Sequence, residues 1–131
     1  MKVTLITACY NSAATIRTCF DSVLSQQGVD LEYIVVDGGS KDGTVDIVKE
    51  YASKPSDQRA AFANATAAKL TTNDFTFRWL SERDRGMYDA INKGIAMATG
   101  DIIGILNADD VLASNDTLAH IAAAFTNRMS A

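Results

Sequence analysis

The feature that most constrains the fold is an alternation of two residue periods along the chain. Segments patterned as β-strands occur at residues 2–8, 31–36, 75–81 and 102–106. Between them, apolar residues recur at helical spacing, first at Ile16, Cys19, Phe20, Val23 and Leu24. An order of strand, helix, strand, helix predicts parallel strands joined by right-handed crossovers.

Local signals place the ends and faces of the predicted helices. Ser12 is a good N-cap for the first helix, which should end near Gly28. The second helix follows the polar loop 37–44 and carries Val45, Val48 and Ala52 on one side. The third carries Tyr88, Ile91, Ile95 and Ala98, with Gly100 placed to end it. Asn115 or Asp116 should cap a last helix whose inward residues are Leu118, Ile121, Ala122 and Phe125. A short helix is possible over residues 60–70.

An acidic run follows the last predicted strand. Residues 102–106 are apolar or small and predict a strand buried on both faces, and Asn107-Ala108-Asp109-Asp110 comes directly after it. Adjacent carboxylates repel each other unless a cation holds them. One interpretation is a Mg²⁺ or Mn²⁺ ion that carries a phosphate-bearing substrate. The alternative is a polar turn in which Asp109 or Asp110 caps the next segment.

The other predicted loops should meet this acidic run. In a parallel sheet, strands that end at Ala8, Val36, Ser81 and Leu106 place their following loops at one edge, where ligands bind in open α/β folds. Each acid alone is more often a cap or a solvated surface group, but their convergence favours a site. These loops carry Asn11, Asp37, Asp42, Glu82, Asp84, Arg85, Asp89, Asn107, Asp109 and Asp110.

Composition excludes several classes of protein. The formal net charge of −4 disfavours a general nucleic-acid binder, and 47% hydrophobic with 21% charged residues indicates a globular chain. Apolar stretches fall short of the ~18 residues that span a bilayer, and the N-terminus lacks a signal peptide's apolar core, so we expect a cytoplasmic protein. Peripheral attachment to the inner face of the membrane stays open.

The motifs of other common chemistries are missing. Two cysteines and one histidine disfavour a zinc site and a Ser-His-Asp triad. The glycines follow the second strand and match neither the dinucleotide-binding GxGxxG spacing nor a P-loop, which disfavours a dinucleotide oxidoreductase and a P-loop NTPase.

Four segments together match a known family: 3–11, 33–44, 81–94 and 100–110. In order and spacing, the chain resembles the N-terminal, nucleotide-sugar-binding portion of family 2 glycosyltransferases, which have the GT-A fold. The resemblance implies an α/β fold, a Rossmann-like three-layer α/β/α sandwich with a mostly parallel central sheet. Because the family's catalytic domain is longer, we expect residues 1–131 to be a single domain that is truncated and incomplete at its C-terminus.

The resemblance also implies roles for individual residues. Asp37 would read the nucleotide base, and the loop 38–44, including Gly39, would shape the base and ribose pocket. Asp109 and Asp110 match the metal motif, with Asp110 the direct ligand. The remaining implied nucleotide contacts are Ala8, Tyr10, Asp84 and Arg85, and Asp109 is also one of them. Two departures stand out, because Gly38 replaces a second acid and Asn107 replaces an aspartate of the metal motif.

The implied activity is metal-dependent transfer of a sugar, with inversion, from a nucleotide-sugar donor, most simply a UDP-sugar, to an acceptor hydroxyl. The acceptor would be a saccharide or lipid-linked, as in polysaccharide biosynthesis. The catalytic residue is unknown, because nothing after Asp110 matches the family's general base. The alternatives are a donor-binding fragment without turnover and a nucleotidyltransferase. Exposed apolar surface on a truncated domain would favour a homo-oligomer.

Overall fold

The computed structural model describes residues 2–53 and 75–130. In this part of the chain, strands and helices alternate as the sequence predicts. The strands are β1 (Lys2–Cys9), β2 (Asp30–Asp37), β3 (Phe75–Ser81) and β4 (Ile102–Ile105). The helices are α1 (Ile16–Leu24), α2 (Thr44–Ala52), α3 (Met87–Met97) and α4 (Thr117–Ser130). The helix predicted over residues 60–70 lies outside the described residues.

The described strands form one parallel sheet in the order β3-β2-β1-β4. The register pairs Cys9 with Asp37, and Asp37 with Ser81. On the other side of β1, Ile6 pairs with Ile105 near the end of β4. The carboxyl ends of the strands therefore lie at one edge, as expected for parallel strands joined by crossovers.

One face of the sheet carries the larger apolar core. Helices α1, α2 and α4 pack here, and the predicted buried face of α1 is confirmed at Ile16, Cys19, Phe20 and Val23. Phe20 lies at the centre of an aromatic cluster. Its ring makes edge-to-face contacts with Tyr33, Tyr51 and Phe77 at centroid distances of 5.8, 5.1 and 5.7 Å. Such pairs stabilise a core beyond the area they bury.

The opposite face is covered by α3, so the layers are helix, sheet, helix. Helix α3 lies close to β1 because its contact residues, Ala90 and Gly94, are small. A Cβ atom at Gly94 would lie 2.6 Å from Cγ2 of Ile6, closer than packed atoms approach. The expectation that β4 is buried on both faces is wrong. Ile103 and Ile105 are 45% and 52% exposed, because α3 covers β1 and β2 but does not reach over this edge strand.

Three predicted helix faces need correction. In α2, Val48 is buried as predicted, but Ile47 and Tyr51 complete the buried face in place of Val45 and Ala52. In α3, Tyr88 is 83% exposed. In both α2 and α3, the packed face is rotated about the helix axis relative to the face predicted from the sequence. In α4, Leu118 and Ala122 are buried as predicted, whereas Ile121 and Phe125 are 40% and 47% exposed.

Helix ends also differ from the sequence expectation. Ser12 is not a side-chain cap, because its hydroxyl bonds to the backbone of Tyr10 while its carbonyl accepts the N–H of Ile16. Helix α3 ends at Met97, three residues before Gly100, whose N–H donates to the hydroxyl of Thr4 at 2.9 Å. Helix α4 begins directly after Asp116, one of its two predicted caps.

A buried carboxylate fastens the amino-terminal half of β2. Glu32 is 3% exposed, and its oxygens accept hydrogen bonds from Thr4, from the N–H and hydroxyl of Thr99, and from Arg78 at 3.2 Å. The Lys2 ammonium lies 3.9 Å away. Burial alone would raise the pKa of Glu32, but these donors lower it to about 2. The carboxylate thus ties β1 and β3 to the chain that follows α3.

No helix among residues 2–53 and 75–130 is both long and apolar enough to cross a membrane.

Candidate functional site

The turn after β1 is fastened to the loop after β2. Asn11 adopts a positive φ of 48°, a conformation that asparagine tolerates better than most residues. Its N–H donates to the hydroxyl of Ser40 at 2.7 Å, and its side-chain oxygen accepts the N–H of Lys41 at 2.8 Å. The N–H of Ser12 donates to the hydroxyl of Thr44 at 2.8 Å. These bonds make the two loops one unit.

Asp42 reinforces the same unit. Its carboxylate accepts the N–H of Ala13 at 3.1 Å, and both the N–H and the hydroxyl of Thr44. The hydroxyl of Thr44 is the main cause of a lowered pKa at this carboxyl group. Asp42 therefore links the first residue of α2 to the turn that precedes α1.

Asp37 lies beneath this unit rather than on its surface. It is 1% exposed, and its carboxylate accepts the N–H groups of Gly39 and Ser40 at 3.0 and 2.9 Å. The hydroxyls of Ser40 and Ser81 also donate to it, the latter at 2.8 Å. Burial would raise the pKa of Asp37, but these donors, the Ser40 hydroxyl first, lower it. Asp37 is thus an ionised carboxylate that organises the loop around it.

The thiol of Cys9 completes the surroundings of Asp37. Its Sγ donates to Oδ1 at 3.6 Å, a weak contact typical of sulfur. Burial, followed by the Asp37 charge, raises the pKa of Cys9 far above its usual value. The thiol stays protonated, which suits it to the role of donor.

The loop after β3 brings Asp84 to the same edge. The N–H of Glu82 continues the sheet by donating to the carbonyl of Asp37 at 3.0 Å. Gly86 then turns the chain at a φ of 120°, in the region that favours glycine. Its N–H donates to Oδ1 of Asp84 at 3.0 Å. The turn therefore fixes the position of the Asp84 carboxylate.

The acidic loop after β4 is held against the start of α1. The hydroxyl of Thr15 donates to the carbonyl of Ala108 at 3.1 Å, and the N–H of Asp110 closes a turn onto the carbonyl of Asn107 at 3.0 Å. Since α4 does not begin until Thr117, neither Asp109 nor Asp110 caps it. Among the described residues, none donates a hydrogen bond to either carboxylate side chain.

The loops surround one cavity of about 730 Å³. Four of the eight predicted site residues line it: Ala8, Tyr10, Asp84 and Asp109. The other four do not line it. Asp37 is buried and Gly39 half-buried, and Asp110 is exposed beside Asp109. The backbone N–H of Arg85 donates to the Asp89 carboxylate. Direct contact between a ligand and these four residues stays a prediction.

Some cavity residues were not singled out from the sequence. Arg83, Met87 and Thr15 line the cavity. Arg83 and Arg85 flank Asp84 symmetrically in the sequence, so no local pattern separates them. The fold makes the difference, because the backbone of Arg83 packs against Gly39 in the loop after β2, whereas Arg85 does not line the cavity.

The donor set suits a cation that arrives with its ligand. Within residues 2–53 and 75–130, no group of three or more His, Cys, Asp or Glu side chains could hold a metal ion. Asp109 and Asp110 offer two adjacent carboxylates, and Asn107 lies in the same turn. Mg²⁺ usually keeps several waters and is bound by one or two carboxylates together with substrate phosphates. These residues fit that arrangement.

Sequence comparison finds glycosyltransferases. The family described as "Glycosyl transferase family 2" matches residues 4–130. Over 113 residues, the chain is 39% identical to a PGL/p-HBAD biosynthesis glycosyltransferase of Mycobacterium bovis (strain BCG / Pasteur 1173P2), covering 86% of this chain and 37% of the relative. It is 31% identical to the uncharacterized glycosyltransferase YibD of Escherichia coli (strain K12), covering 83% of this chain and 26% of YibD. The chain thus spans between about a quarter and little more than a third of the length of these relatives.

Structural comparison gives the same picture. Residues 1–349 of TarS from S. aureus, in complex with UDP-GlcNAc, match with a TM-score of 0.69 and 25% identity, over 98% of this chain and 32% of that one. The same part of TarS in complex with UDP matches with a TM-score of 0.67 and 24% identity, over 94% of this chain and 31% of that one. The agreement confirms the predicted α/β architecture of the GT-A type.

Proposed function

Because this chain belongs to glycosyl transferase family 2, we propose that it binds the nucleotide-sugar donor of a glycosyltransferase, and that this donor is a UDP-sugar. The relatives are named as glycosyltransferases, and the structurally similar TarS was solved with UDP-GlcNAc and with UDP. The chain spans only part of the length of these relatives. We therefore assign only donor binding, and not the whole reaction, to its residues.

The cavity is the observation that carries the proposal. Its wall runs from Gly38 and Asp84 on one side to Asn107 and Asp109 on the other, with Ala8 between them at the end of β1. The strand order places these sides more than one strand spacing of ~4.8 Å apart. A base at one side and a diphosphate at the other match this separation. Tyr10 and Met87, 58% and 55% exposed, offer apolar surface for a base and ribose to cover.

The acidic side of the cavity is the proposed diphosphate end. Asp109 and Asp110 would hold Mg²⁺ or Mn²⁺, which when bound offsets the charge on the leaving nucleoside diphosphate. With Asn107 in place of an acid, this loop has one carboxylate fewer to repel the phosphates.

For the complete reaction, we propose in-line attack by a saccharide or lipid-linked hydroxyl on the anomeric carbon, with inversion. We assign no general base among the described residues. Donor binding without turnover is the alternative for these 131 residues. Nucleotidyl transfer is not favoured, since the family and its named relatives are glycosyltransferases.

Isothermal calorimetry with UDP, with and without Mn²⁺, tests the proposal. We expect saturable binding that strengthens with Mn²⁺. Asp109→Asn should weaken Mn²⁺-dependent binding by about tenfold or more, the scale at which supporting groups act in metal sites. Asp46→Asn is the matched control, because Asp46 is an exposed acid on α2, away from the cavity.

Two results would contradict this assignment. One is absence of UDP binding by the folded wild-type chain. The other is equal loss of binding in the Asp109 and Asp46 variants, which would indicate nonspecific electrostatics. If turnover is seen with a UDP-sugar, release of UDP supports sugar transfer, whereas release of pyrophosphate indicates the nucleotidyltransferase.

A further inference from the structure

Gly38 and Asp84 are in contact, and the contact depends on the missing side chain at residue 38. Gly38 follows β2 and is fixed by its own N–H, which donates to the carbonyl of Cys9 at 2.9 Å. A Cβ atom at Gly38 would lie 2.8 Å from Oδ2 of Asp84, 3.0 Å from Oδ1 and 3.1 Å from Cγ. The Asp84 carboxylate therefore occupies the space that a side chain at 38 would fill.

A hydrogen bond holds the carboxylate in this position. Aspartate has a short side chain, and Oδ1 accepts the N–H of Gly86 at 3.0 Å. Among the described residues, none donates a hydrogen bond to Oδ2. Asp84 is half-buried and lines the cavity, as does Gly38. The second oxygen is thus an acceptor held in the cavity wall with its bonding capacity unused.

Asp37 does not provide such an acceptor. Its carboxylate is 1% exposed and accepts the donors of Gly39, Ser40, Ser81 and Cys9. Releasing it would break several of these bonds, and a buried donor left unpaired costs about 1–3 kcal/mol. The carboxylate available at this side of the cavity is therefore that of Asp84, which comes from the loop after β3.

We propose that Gly38 and Asp84 form one specificity-determining pair, in which the absent side chain at 38 admits the Asp84 carboxylate as the acceptor for the donor edge of the base. This rests on the proposed binding of a nucleotide sugar. Asp109 and Asp110 are adjacent acids that would share a divalent cation, and this cation offsets the charge of a diphosphate. Asp84 has no adjacent acid in the sequence, and a carboxylate without a cation repels phosphates. The neutral base therefore lies at this side and the diphosphate lies by Asp109. A carboxylate accepts the N3–H of uracil but faces a lone pair on N3 of cytosine, and the pair therefore selects UDP over CDP.

A double-mutant cycle measured by calorimetry with UDP tests the pair. Asp84→Ala should weaken binding by about tenfold, the lower end of the range for a hydrogen bond to a charged group. Gly38→Ala should weaken it similarly, because the methyl group displaces the carboxylate. The double variant should bind no more weakly than Asp84→Ala alone, because no carboxylate is left to displace. Gly43→Ala is the matched control, since a Cβ atom there meets nothing within 4 Å.

The base preference gives a second readout that does not depend on Gly38. The wild-type chain should prefer UDP over CDP by about tenfold or more, and Asp84→Asn should bring the ratio close to one, because an amide can also donate to N3 of cytosine. Additive losses in the cycle, or an unchanged UDP-to-CDP ratio in Asp84→Asn, would overturn the pair. Both outcomes differ from failure of the wild-type chain to bind UDP, which would overturn the proposed function itself.

Discussion

The two buried acids of β2 satisfy their charges in different ways. Glu32, near the start of the strand, has cationic partners in Arg78 and Lys2 besides its neutral donors. Asp37, at the end of the strand, accepts only neutral N–H, O–H and S–H donors among the described residues. Both pKa values are lowered, so both groups are ionised at neutral pH.

The difference assigns a structural role to Glu32, near the start of β2, and a role in the candidate site to Asp37, at the end of β2. The donors to Glu32 come from strands and from the chain after α3, so its loss would loosen the packing between elements. The donors to Asp37 come from the loop after β2 and from the last residues of β1 and β3, so its loss would alter the site while the core stays packed. The following predictions test this division.

The largest expected effect is on stability at Glu32. Glu32→Ala leaves Arg78 and the donors of Thr99 without their partner, and breaking a buried pair in this way costs about 3–5 kcal/mol. Urea unfolding measures the loss. Glu50→Ala is the control, because its ion pair with Arg17 is exposed and should contribute less than about 1 kcal/mol. Equal losses of unfolding free energy in the two variants would contradict the structural role of Glu32.

Acid unfolding should reveal the same carboxylate. A pKa lowered from 4.5 to about 2 contributes stability that is present above pH 4.5 and is lost as the pH falls towards 2. By linkage, this amounts to roughly 3 kcal/mol. Glu32→Gln cannot titrate, so its stability should fall less steeply than that of the wild type over this range. Parallel curves for the two proteins would contradict the prediction.

The smallest expected effect on stability is at Asp37, where the site should change more than the core. In Asp37→Asn, the side-chain NH2 group faces some of the loop N–H donors and cannot accept their hydrogen bonds. The unpaired donors cost about 1–3 kcal/mol. UDP affinity should fall as well, because the N–H groups of Gly39 and Ser40 lose the carboxylate that holds them. Glu32→Gln should bind UDP as the wild type does. Calorimetry under conditions in which each variant is folded checks both. Loss of UDP binding in the Glu32 variant alone would contradict the assignment of the site role to Asp37.

The sequence predicts strands better than the packed faces of helices. All four described strands lie within one residue of their predicted bounds at each end. For α3, apolar spacing indicates a face with Tyr88 and Ile95, yet both are exposed. The packed face consists of Ala90 and Gly94, because small residues allow the helix to approach Ile6 closely. A hydrophobic pattern records large side chains and misses this kind of contact.

The run at β4 shows a related limit. A continuous apolar segment indicates burial on both faces, but Ile103 and Ile105 remain largely exposed in the described structure. The apolar pattern indicates which surfaces favour burial. The placement of α3 over β1 and β2 decides which of these surfaces are covered. No local pattern in residues 102–106 carries that information.

For the site, the sequence alone determined that acidic loops follow parallel strands and therefore meet at one edge, since strand direction and crossover hand leave little choice. Only the tertiary structure decided which acids reach the cavity. Asp37 is enclosed by donors from the loop after β2 and from the last residues of β1 and β3, and the Asp84 carboxylate occupies the space beside Gly38 in the cavity wall. The contacts of Asp37 with Ser81 and of Gly38 with Asp84 join residues more than 40 positions apart. They are set by packing between segments rather than by the residues within any one segment.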